Sequence, residues 1–216
     1  MKRMLLVLLT VCVFRPDAGL ALIKMQLFYG AGAGDFTPES GNAHSLSASE
    51  LGATLLLDPI PLVPVGFGLS VLSQTFSPSV ADHGVDKLEG LVIAPEVQAW
   101  IPFLPIPLVP YGRVSYVIGA YKASTELAVL NSSFVANYVL KGSGTQVGIG
   151  AKFEPIPLPI LSLSLLFEVN MRFYNFDDKS SEIISQPAGS IISDTSALDK
   201  GKWNSTMLLL GVEAGI

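Results

Sequence analysis

Apolar and polar residues alternate along much of the chain, and the alternation is clearest in the stretch LSLSLLFEVNMRF at 161–173. Its odd-numbered positions are apolar: Leu161, Leu163, Leu165, Phe167, Val169, Met171 and Phe173. Its even-numbered positions include Ser162, Ser164, Glu168, Asn170 and Arg172. A period of two residues puts these two sets on opposite faces of a β-strand. The same period recurs in 88–101 and 202–216, so the pattern predicts a chain built from strands.

Prolines indicate where these strands end. The tetrapeptide PIPL occurs at 59–62, 105–108 and 155–158. Because proline cannot donate a hydrogen bond to a β-ladder, each copy is predicted to form a short turn between strands. The predicted strands are 23–34, 44–57, 65–76, 88–101, 109–122, 137–153, 160–176 and 202–216. Longer polar loops are predicted at the other end of the sheet, over 35–43, 77–87, 123–136 and 177–201.

The composition favours a transmembrane β-barrel over a soluble β-sandwich. The chain is 50% hydrophobic and only 14% charged, and its mean hydropathy is +0.51. No uncharged apolar stretch reaches the length of about 18 residues that a spanning helix needs. A closed barrel also satisfies its backbone inside a membrane. A soluble sandwich alternates too, but the polar face here holds mostly Gly, Ser and Gln. The sequence therefore predicts an all-β fold, an eight-stranded antiparallel up-and-down transmembrane β-barrel.

The first residues have the pattern of a secretory signal. Lys2 and Arg3 precede the apolar core LLVLLTVCVF at 5–14, and Gly19 and Ala21 offer a small-residue cleavage site. We predict a signal peptide at 1–21 and a barrel at 22–216; a first strand or a buried helix is the alternative. Removal of the signal also removes the only cysteine, Cys12, which suits an oxidising periplasm.

Charged residues on the polar faces of the strands predict a network inside the barrel. The predicted lumen residues are the cations Lys24, Arg113, Lys152 and Arg172 and the anions Glu50, Glu96, Glu168 and Glu213. Unpaired charges in a narrow barrel are strongly unfavourable, so we expect them to pair. An eight-stranded barrel is just wide enough for side chains to fill, which predicts a closed lumen. Glycines on the strands, such as Gly30, Gly68 and Gly148, either make room for the long charged side chains or leave a small cavity.

Aromatic residues near the strand ends predict two girdles at the membrane interfaces. The girdle beside the short turns comprises Trp100, Phe103, Tyr111 and Phe153. The girdle beside the loops comprises Phe28, Tyr29, Phe76, Tyr121, Phe173, Phe176 and Trp203. Pro95 falls inside a strand, where a bulge or a missing ladder bond is expected.

Signal, eight alternating strands, short turns, long loops and the final strand TMLLLGVEAGI together resemble the small outer-membrane barrels of the OmpA, OmpX and OmpW type. The resemblance covers about residues 22–216 and is architectural. One departure is the last residue, Ile216, because such chains commonly end in an aromatic residue. The resemblance implies short periplasmic turns, extracellular loops and a Gram-negative outer-membrane location.

The longest loop contains the nearly symmetric stretch SEIISQPAGSIISD at 181–194. A turn around Pro187 and Gly189 would join two short strands into an extracellular hairpin. Its apolar residues are Ile183, Ile184, Ile191 and Ile192. Such an edge can bind a partner by strand addition; a hairpin folded over the barrel mouth fits the same residues. The stretch TELAVLNSS at 125–133 leaves a helical turn open.

Chemical signals are few. His44 and His83 lie beside Ser45 and Asp82 without a recognisable catalytic motif, so we predict no enzyme, no catalytic residue, no cofactor and no metal. We expect a structural or surface-interaction role through the loops. The alternatives are a narrow OmpW-like channel for small solutes and an interfacial lipid-modifying enzyme. The expected partners are membrane lipids including lipopolysaccharide, the barrel-assembly machinery and an extracellular protein, and the acidic balance argues against nucleic acid.

Overall fold

A computed structural model of the chain describes residues 23–39, 43–58, 63–78, 87–101, 107–129, 132–154, 162–185 and 200–215. These ranges form eight strands. Their bounds are β1 Ile23–Pro38, β2 His44–Leu57, β3 Val65–Pro78, β4 Leu88–Trp100, β5 Leu108–Val129, β6 Ser132–Phe153, β7 Ser162–Ser185 and β8 Gly201–Gly215. The predicted signal peptide and most of the PIPL turns lie outside the described residues.

The strands close into a barrel. Each pairs antiparallel with the next, and β8 pairs with β1 from Lys24↔Gly215 to Pro38↔Gly201. Following paired residues from Lys24 once around the barrel returns to β1 at Gly34. Because the path returns further along the same strand, the strands are tilted against the barrel axis, as closure requires. The predicted fold, an eight-stranded antiparallel barrel, is confirmed.

Alternate side chains point inward and outward along every strand. On β7, Leu163, Phe167 and Met171 are exposed on the outside, whereas Ser164 and Arg172 are buried inside. The outer surface is an apolar band, and its most exposed members are Leu51, Leu91, Ile149 and Leu208. The predicted faces of β7 are therefore confirmed, and the alternation predicted for β4 and β8 is confirmed by the outward Leu91 and Leu208 and the inward Gln98 and Glu213. No helix in the described part of the chain is long and apolar enough to cross a membrane.

Glycine permits a close approach where the barrel closes. A Cβ at Gly32 of β1 would collide with the Thr206 carbonyl oxygen of β8, and it would lie 2.7 Å from Met207 Cα. Atoms that close cannot coexist, so a side chain at this position would push β8 away from β1. Gly32 thus allows the first and last strands to meet closely.

The outer ends of five strands are longer than the sequence predicted. Strand β1 reaches Pro38 and β3 reaches Pro78, so 35–38 and 77–78 of the predicted loops are strand, and β5, β6 and β7 extend furthest. Strands β5 and β6 pair as far as Val129↔Ser132, so the predicted loop at 123–136 is mostly strand, and residues 125–129 and 132–133, where a helical turn was left open, are strand. Strand β7 continues to Ser185. Beyond Phe176 it pairs with β6 rather than β8. The first arm of the predicted hairpin is therefore a strand that pairs with β6, and the predicted turn and second arm, with Pro187, Gly189, Ile191 and Ile192, lie outside the described residues.

Pro95 interrupts one ladder without displacing it. The β4–β5 pairing runs to Ile93↔Ile118, skips two residues and resumes at Glu96↔Ser115 in the same register. On its other side Pro95 stays opposite Leu69 of β3. The expected irregularity is thus a gap in the ladder, as the missing N–H of proline requires, and not a bulge.

Candidate functional site: a filled lumen

Arg113 holds two carboxylates inside the barrel. It projects inward from β5, with its Nη2 2.5 Å from Glu168 Oε1 and its Nη1 3.4 Å from Glu96 Oε2. Tyr111 donates to Glu168 Oε2 at 2.7 Å, and Ser70 donates to Glu96 Oε2 at 2.5 Å. Each carboxylate therefore has neutral donors beside the shared guanidinium, which is how proteins stabilise charges away from water.

A second ion pair lies nearer the barrel end that holds the short turns. Lys152 Nζ is 2.6 Å from Glu213 Oε2. Gln26 also donates to Glu213 Oε2 at 2.6 Å, and its amide exchanges hydrogen bonds of 3.1 and 3.0 Å with Gln98. Gln98 in turn donates to Glu96 at 2.8 Å. Side chains from β1, β4, β6 and β8 are thus connected across the lumen.

A third ion pair, Arg172 with Glu50, lies closer to the loop end of the barrel than the other two. Arg172 Nη2 donates to Glu50 Oε1, and both side chains are fully buried. Gln74 donates to Glu50 Oε2 at 3.0 Å, and Tyr121 donates to Gln74 Oε1 at 2.6 Å. Within the described residues, Nε and Nη1 of Arg172 have no hydrogen-bond partner. Glu50 is thus the counter-charge that stabilises this guanidinium.

Lys24 departs from the predicted pattern of four cations facing four glutamates. Its Nζ lies 2.5 Å from Asp58, a residue outside the predicted set, and 4.5 Å from the Trp100 ring centroid. Lys152 lies 5.6 Å from the same ring. The structure therefore places the other seven predicted residues in three ion-paired groups, and Lys24 in a fourth pair near the short-turn end. We call those seven residues the lumenal charge cluster: Glu50, Glu96, Arg113, Lys152, Glu168, Arg172 and Glu213.

Six aromatic side chains fill the lumen above these charges, toward the loops. We call them the outer aromatic layer: Phe36, Phe76, Tyr121, Tyr174, Phe176 and Trp203, all at most 4% exposed. The Phe76 and Trp203 ring centroids are 4.0 Å apart, and those of Tyr174 and Trp203 are 5.0 Å apart. Tyr121 meets Phe176 edge to face at 5.4 Å. Such contacts make this layer a packed plug.

The outer aromatic layer corrects the predicted girdles. The sequence predicts Phe28, Phe76, Tyr121, Phe176 and Trp203 in the loop-side girdle, but the structure buries all five inside the barrel. On the short-turn side, Tyr111 is buried, and the Trp100 ring faces the inward lysines. Tyr29 and Phe173 do lie on the outer surface. Phe103 lies outside the described residues, and Phe153 is half-buried.

The alternation of inward and outward positions along each strand would have predicted this layer from the sequence. Phe76 shares the face of Gln74, Phe176 that of Arg172, and Trp203 that of Ser205, because each pair is separated by an even number of residues. Distance from the strand end, on which the girdle prediction relied, says nothing about which face a ring occupies.

A glycine makes room for one of the ion pairs. A Cβ at Gly148 of β6 would collide with the Glu168 carboxylate, lying 2.7 Å from its Cδ. Glu168 therefore occupies the space that a side chain on β6 would take. A Cβ at Gly112, on the outer face of β5, would contact only the Gly148 carbonyl oxygen, at 3.8 Å.

Of the candidate catalytic residues, the structure describes His44 and Ser45, which do not share a face. His44 and Ser45 are neighbours on β2, so their side chains leave opposite faces. Ser45 donates to Asp35 at 3.0 Å on the outside of the barrel. His83 and Asp82 lie outside the described residues. In the described ranges, no group of three or more His, Cys, Asp or Glu side chains has metal-binding geometry.

Solved structures of similar fold include several bacterial surface and outer-membrane proteins. Neisserial surface protein A aligns at 12% identity over 90% of this chain and 97% of that chain, with a TM-score of 0.49. The outer membrane protein OprG from Pseudomonas aeruginosa aligns at 11% identity over 93% of this chain and 97% of that chain, with a TM-score of 0.49. A major outer membrane protein from Thermus thermophilus aligns at 17% identity over 89% of this chain and 99% of that chain, with a TM-score of 0.46.

No protein-family model and no curated protein sequence matches the chain. At identities this low, the likeness to solved structures concerns the fold alone. The fold itself is given by the closed ring of eight antiparallel strands.

Proposed function

We propose that the protein is an integral β-barrel of the outer membrane with a closed lumen, and that it acts through the part that projects from the cell surface. The observation that carries this proposal is the filled lumen. Charges are paired in the lower part and aromatic rings are packed above them. A barrel that is solid inside has its remaining surfaces, the membrane face and the outer end, available for function.

The outer surface supports the membrane location. Leucine, isoleucine, valine, phenylalanine and methionine side chains are about half exposed all around the barrel, as Leu55, Phe67, Ile118, Met171 and Leu210 illustrate. Monomeric soluble proteins rarely expose contiguous apolar patches larger than a few hundred Å². An apolar band encircling a closed barrel matches what a lipid-spanning barrel presents.

The buried lumen side chains support closure. Side chains that line a water-filled pore are accessible to water, yet Gln98, Val117, Tyr121 and Arg172 are each 0% exposed. These residues lie at successive levels of the barrel. An open channel therefore needs several of these layers to rearrange together.

The outer extension supports a role at the cell surface. Strands β5, β6 and β7 continue beyond the ends of β4 and β8 as a three-stranded sheet. Among the described residues, 124–129 of β5 and 177–185 of β7 have a neighbouring strand on one side only. Unpaired backbone N–H and C=O groups at such edges can bind an extended peptide of a protein partner. Ile183 and Ile184 belong to the β7 edge.

Two measurements test the proposal. Refolded protein in detergent is expected to show heat-modifiable gel migration and β-rich circular dichroism, whereas a freely soluble chain would contradict the membrane location. In planar bilayers the wild type is expected to give no steady openings. A triple variant, Glu50→Ala, Arg172→Ala, Trp203→Ala, serves as the opened control. Conductance on the order of nanosiemens from the wild type would overturn the closed lumen and favour the narrow channel.

A further inference from the structure

The apolar band on the outside of the barrel differs in height between strands. On β7 six successive outward positions are large, apolar and exposed: Leu163, Leu165, Phe167, Val169, Met171 and Phe173. On β1 there are four: Ile23, Met25, Leu27 and Tyr29. Successive outward positions differ by about 5 Å in height, because the strands are tilted against the barrel axis. The apolar band is therefore about 25 Å tall on β7 and about 15 Å tall on β1.

The difference arises at the loop end of the band. On β8, β1, β2 and β3, which are neighbours in the ring, the outward residues above the last large apolar side chain are small or polar: Asn204, Thr206, Ala31, Ala33, Ser47, Ser49, Ser73 and Thr75. On β4, β5 and β7 large apolar side chains continue to Leu91, Ile118 and Phe173. The outward Ser143 and Thr145 of β6 lie opposite Ile118 and Phe173, so large side chains flank them on both sides. We call β8, β1, β2 and β3 the thin side and β4 to β7 the thick side.

The strand register shows that the two sides differ at the same height. Paired residues on neighbouring strands differ by about 3 Å in height, rising in chain order around the ring. Phe173 pairs with Asn204, and Asn204 pairs with Asp35. Two such steps place Phe173 about 6 Å below Asp35, level with Ala33. The apolar band thus reaches two outward positions higher on β7 than on β1, where it ends at Tyr29.

The lower edge of the band is level, so a tilt of the whole barrel does not remove the difference. Leu163 pairs with Ala214, and Ala214 pairs with Met25. Two steps place Leu163 about 6 Å below Met25, at the height of Ile23. A tilt that lowers the upper edge on one side would lower the bottom edge there too. The band is therefore a wedge that is shorter on the thin side.

We propose that the barrel thins the membrane along its thin side, where the headgroups of the outer leaflet lie closer to the bilayer centre than along the thick side. The inference rests on the proposed membrane location and orientation. The thick side matches the apolar band of about 25 Å that outer-membrane barrels present. A shorter apolar surface is accommodated by thinning of the bilayer. Headgroups and water offer hydrogen-bond partners to the hydroxyl groups of Ser49, Ser73 and Thr206, whereas lipid tails offer none.

Two positions of equal height on opposite sides provide the test. Three register steps lead from Ser49 to Lys122 and raise the height by about 9 Å. Ile118 lies two outward positions below Lys122 and is therefore level with Ser49. Spin labels are attached to Ser49→Cys and to Ile118→Cys in a Cys12→Ser background. Their depth in vesicles of dioleoylphosphatidylcholine is measured by relaxation with oxygen and with a nickel chelate.

The Ser49 label is expected to lie at least about 5 Å closer to the headgroups than the Ile118 label. Labels at Leu55→Cys and Val97→Cys, in the lower part of the band on the two sides, are the controls and are expected to lie equally deep in the hydrocarbon. The substitutions Ala31→Leu and Thr75→Leu flank Ser49 on both sides and extend the apolar band. With both present, the Ser49 label is expected to reach the depth of the Ile118 label.

Two results would overturn the proposal. One is an equal depth of the Ser49 and Ile118 labels without the added leucines. The other is a Ser49 label shielded from both oxygen and the nickel chelate, which would make a second copy of the chain, and not lipid, the occupant of the thin side. Heat-modifiable migration of every variant is recorded first, and Ala33→Cys replaces Ser49→Cys if that variant does not fold. Exposure of both control labels to the nickel chelate contradicts the proposed membrane location, whereas control labels in hydrocarbon without a difference between the sides contradict this inference alone.

Discussion

The two halves of the lumen are filled by side chains of different chemistry. The lumenal charge cluster fills the lower and middle part with carboxylates that each have a cation and further donors, such as Glu168 with Arg113 and Tyr111. The outer aromatic layer fills the loop end with rings at 4.0–6.1 Å from one another. The stability of the lumenal charge cluster depends on every charge having a counter-charge. The stability of the outer aromatic layer depends on the rings filling the available volume.

This difference predicts different responses to mutation. Removing one member of a buried ion pair leaves a charge without compensation, so its effect exceeds the loss of the contact itself. Removing one ring leaves a cavity whose neighbours can relax in part. Replacing both members of an ion pair should therefore recover stability that replacing one member loses. No second substitution restores stability in this way when a ring is removed.

The largest effect is expected from Glu50→Leu, which isolates Arg172 at a position with 0% exposure. We expect a loss of about 3–5 kcal/mol in the free energy of unfolding. The measurement is urea unfolding of the barrel in lipid vesicles, followed by tryptophan fluorescence and gel migration. The double variant Glu50→Leu, Arg172→Met is expected to recover most of the loss. If the double variant is less stable than Glu50→Leu, the two residues do not depend on each other as described.

Trp203→Ala tests the other half. Trp203 is 1% exposed and packs on Phe76 and Tyr174, so the substitution leaves a large cavity and is expected to destabilise by about 3 kcal/mol. Conductance should stay at the wild-type level, because the lumenal charge cluster below still fills the barrel. Trp203→Phe retains most of the volume and is the matched control. Steady openings in Trp203→Ala would show that the aromatic layer alone closes the lumen.

The substitution Gly148→Ala tests whether Glu168 needs the space that Gly148 leaves beside Arg113. The new methyl group would force Glu168 away from Arg113, and overpacking of this kind is expected to destabilise by about 1–3 kcal/mol. Gly112→Ala is the control on the neighbouring strand, because its methyl group meets only one atom, at 3.8 Å. Equal losses in both variants would mean that the backbone preference of glycine, rather than space for Glu168, explains Gly148.

Much of this architecture could be predicted from the sequence because a period of two residues determines which face a side chain occupies. The alternation in β7 and β8 correctly assigned the outward Leu163 and Leu208 and the inward Arg172 and Glu213. Proline clusters separated the strands for the equally direct reason that proline lacks a donor. The pairing of inward charges was foreseen as a necessity, but not the partner of Lys24, which depends on where the tilted strands bring Asp58.

The errors arose where local pattern does not determine the outcome. The aromatic rings were placed by their distance from strand ends, although parity already assigned Phe76 and Trp203 to the inside. The segment 123–136 is polar enough for a loop, yet in the structure it continues the pairing of β5 with β6. Strand length beyond the membrane is decided by pairing with a neighbour, which a single strand's composition does not show.

The smallest expected effect concerns Pro95, which lies on the outer face at the level of the charge cluster. The ladder to β5 is interrupted beside it, while Glu96, the next residue, is opposite Ser115 and is hydrogen-bonded inside. Replacing Pro95 with valine supplies the missing N–H, and one more ladder bond is expected to stabilise the barrel by about 1 kcal/mol. Urea unfolding in vesicles measures the gain, and hydrogen exchange of the new amide shows whether the bond forms. A stable variant with a rapidly exchanging amide would mean that the gap in the ladder is set by the barrel's curvature and not by proline.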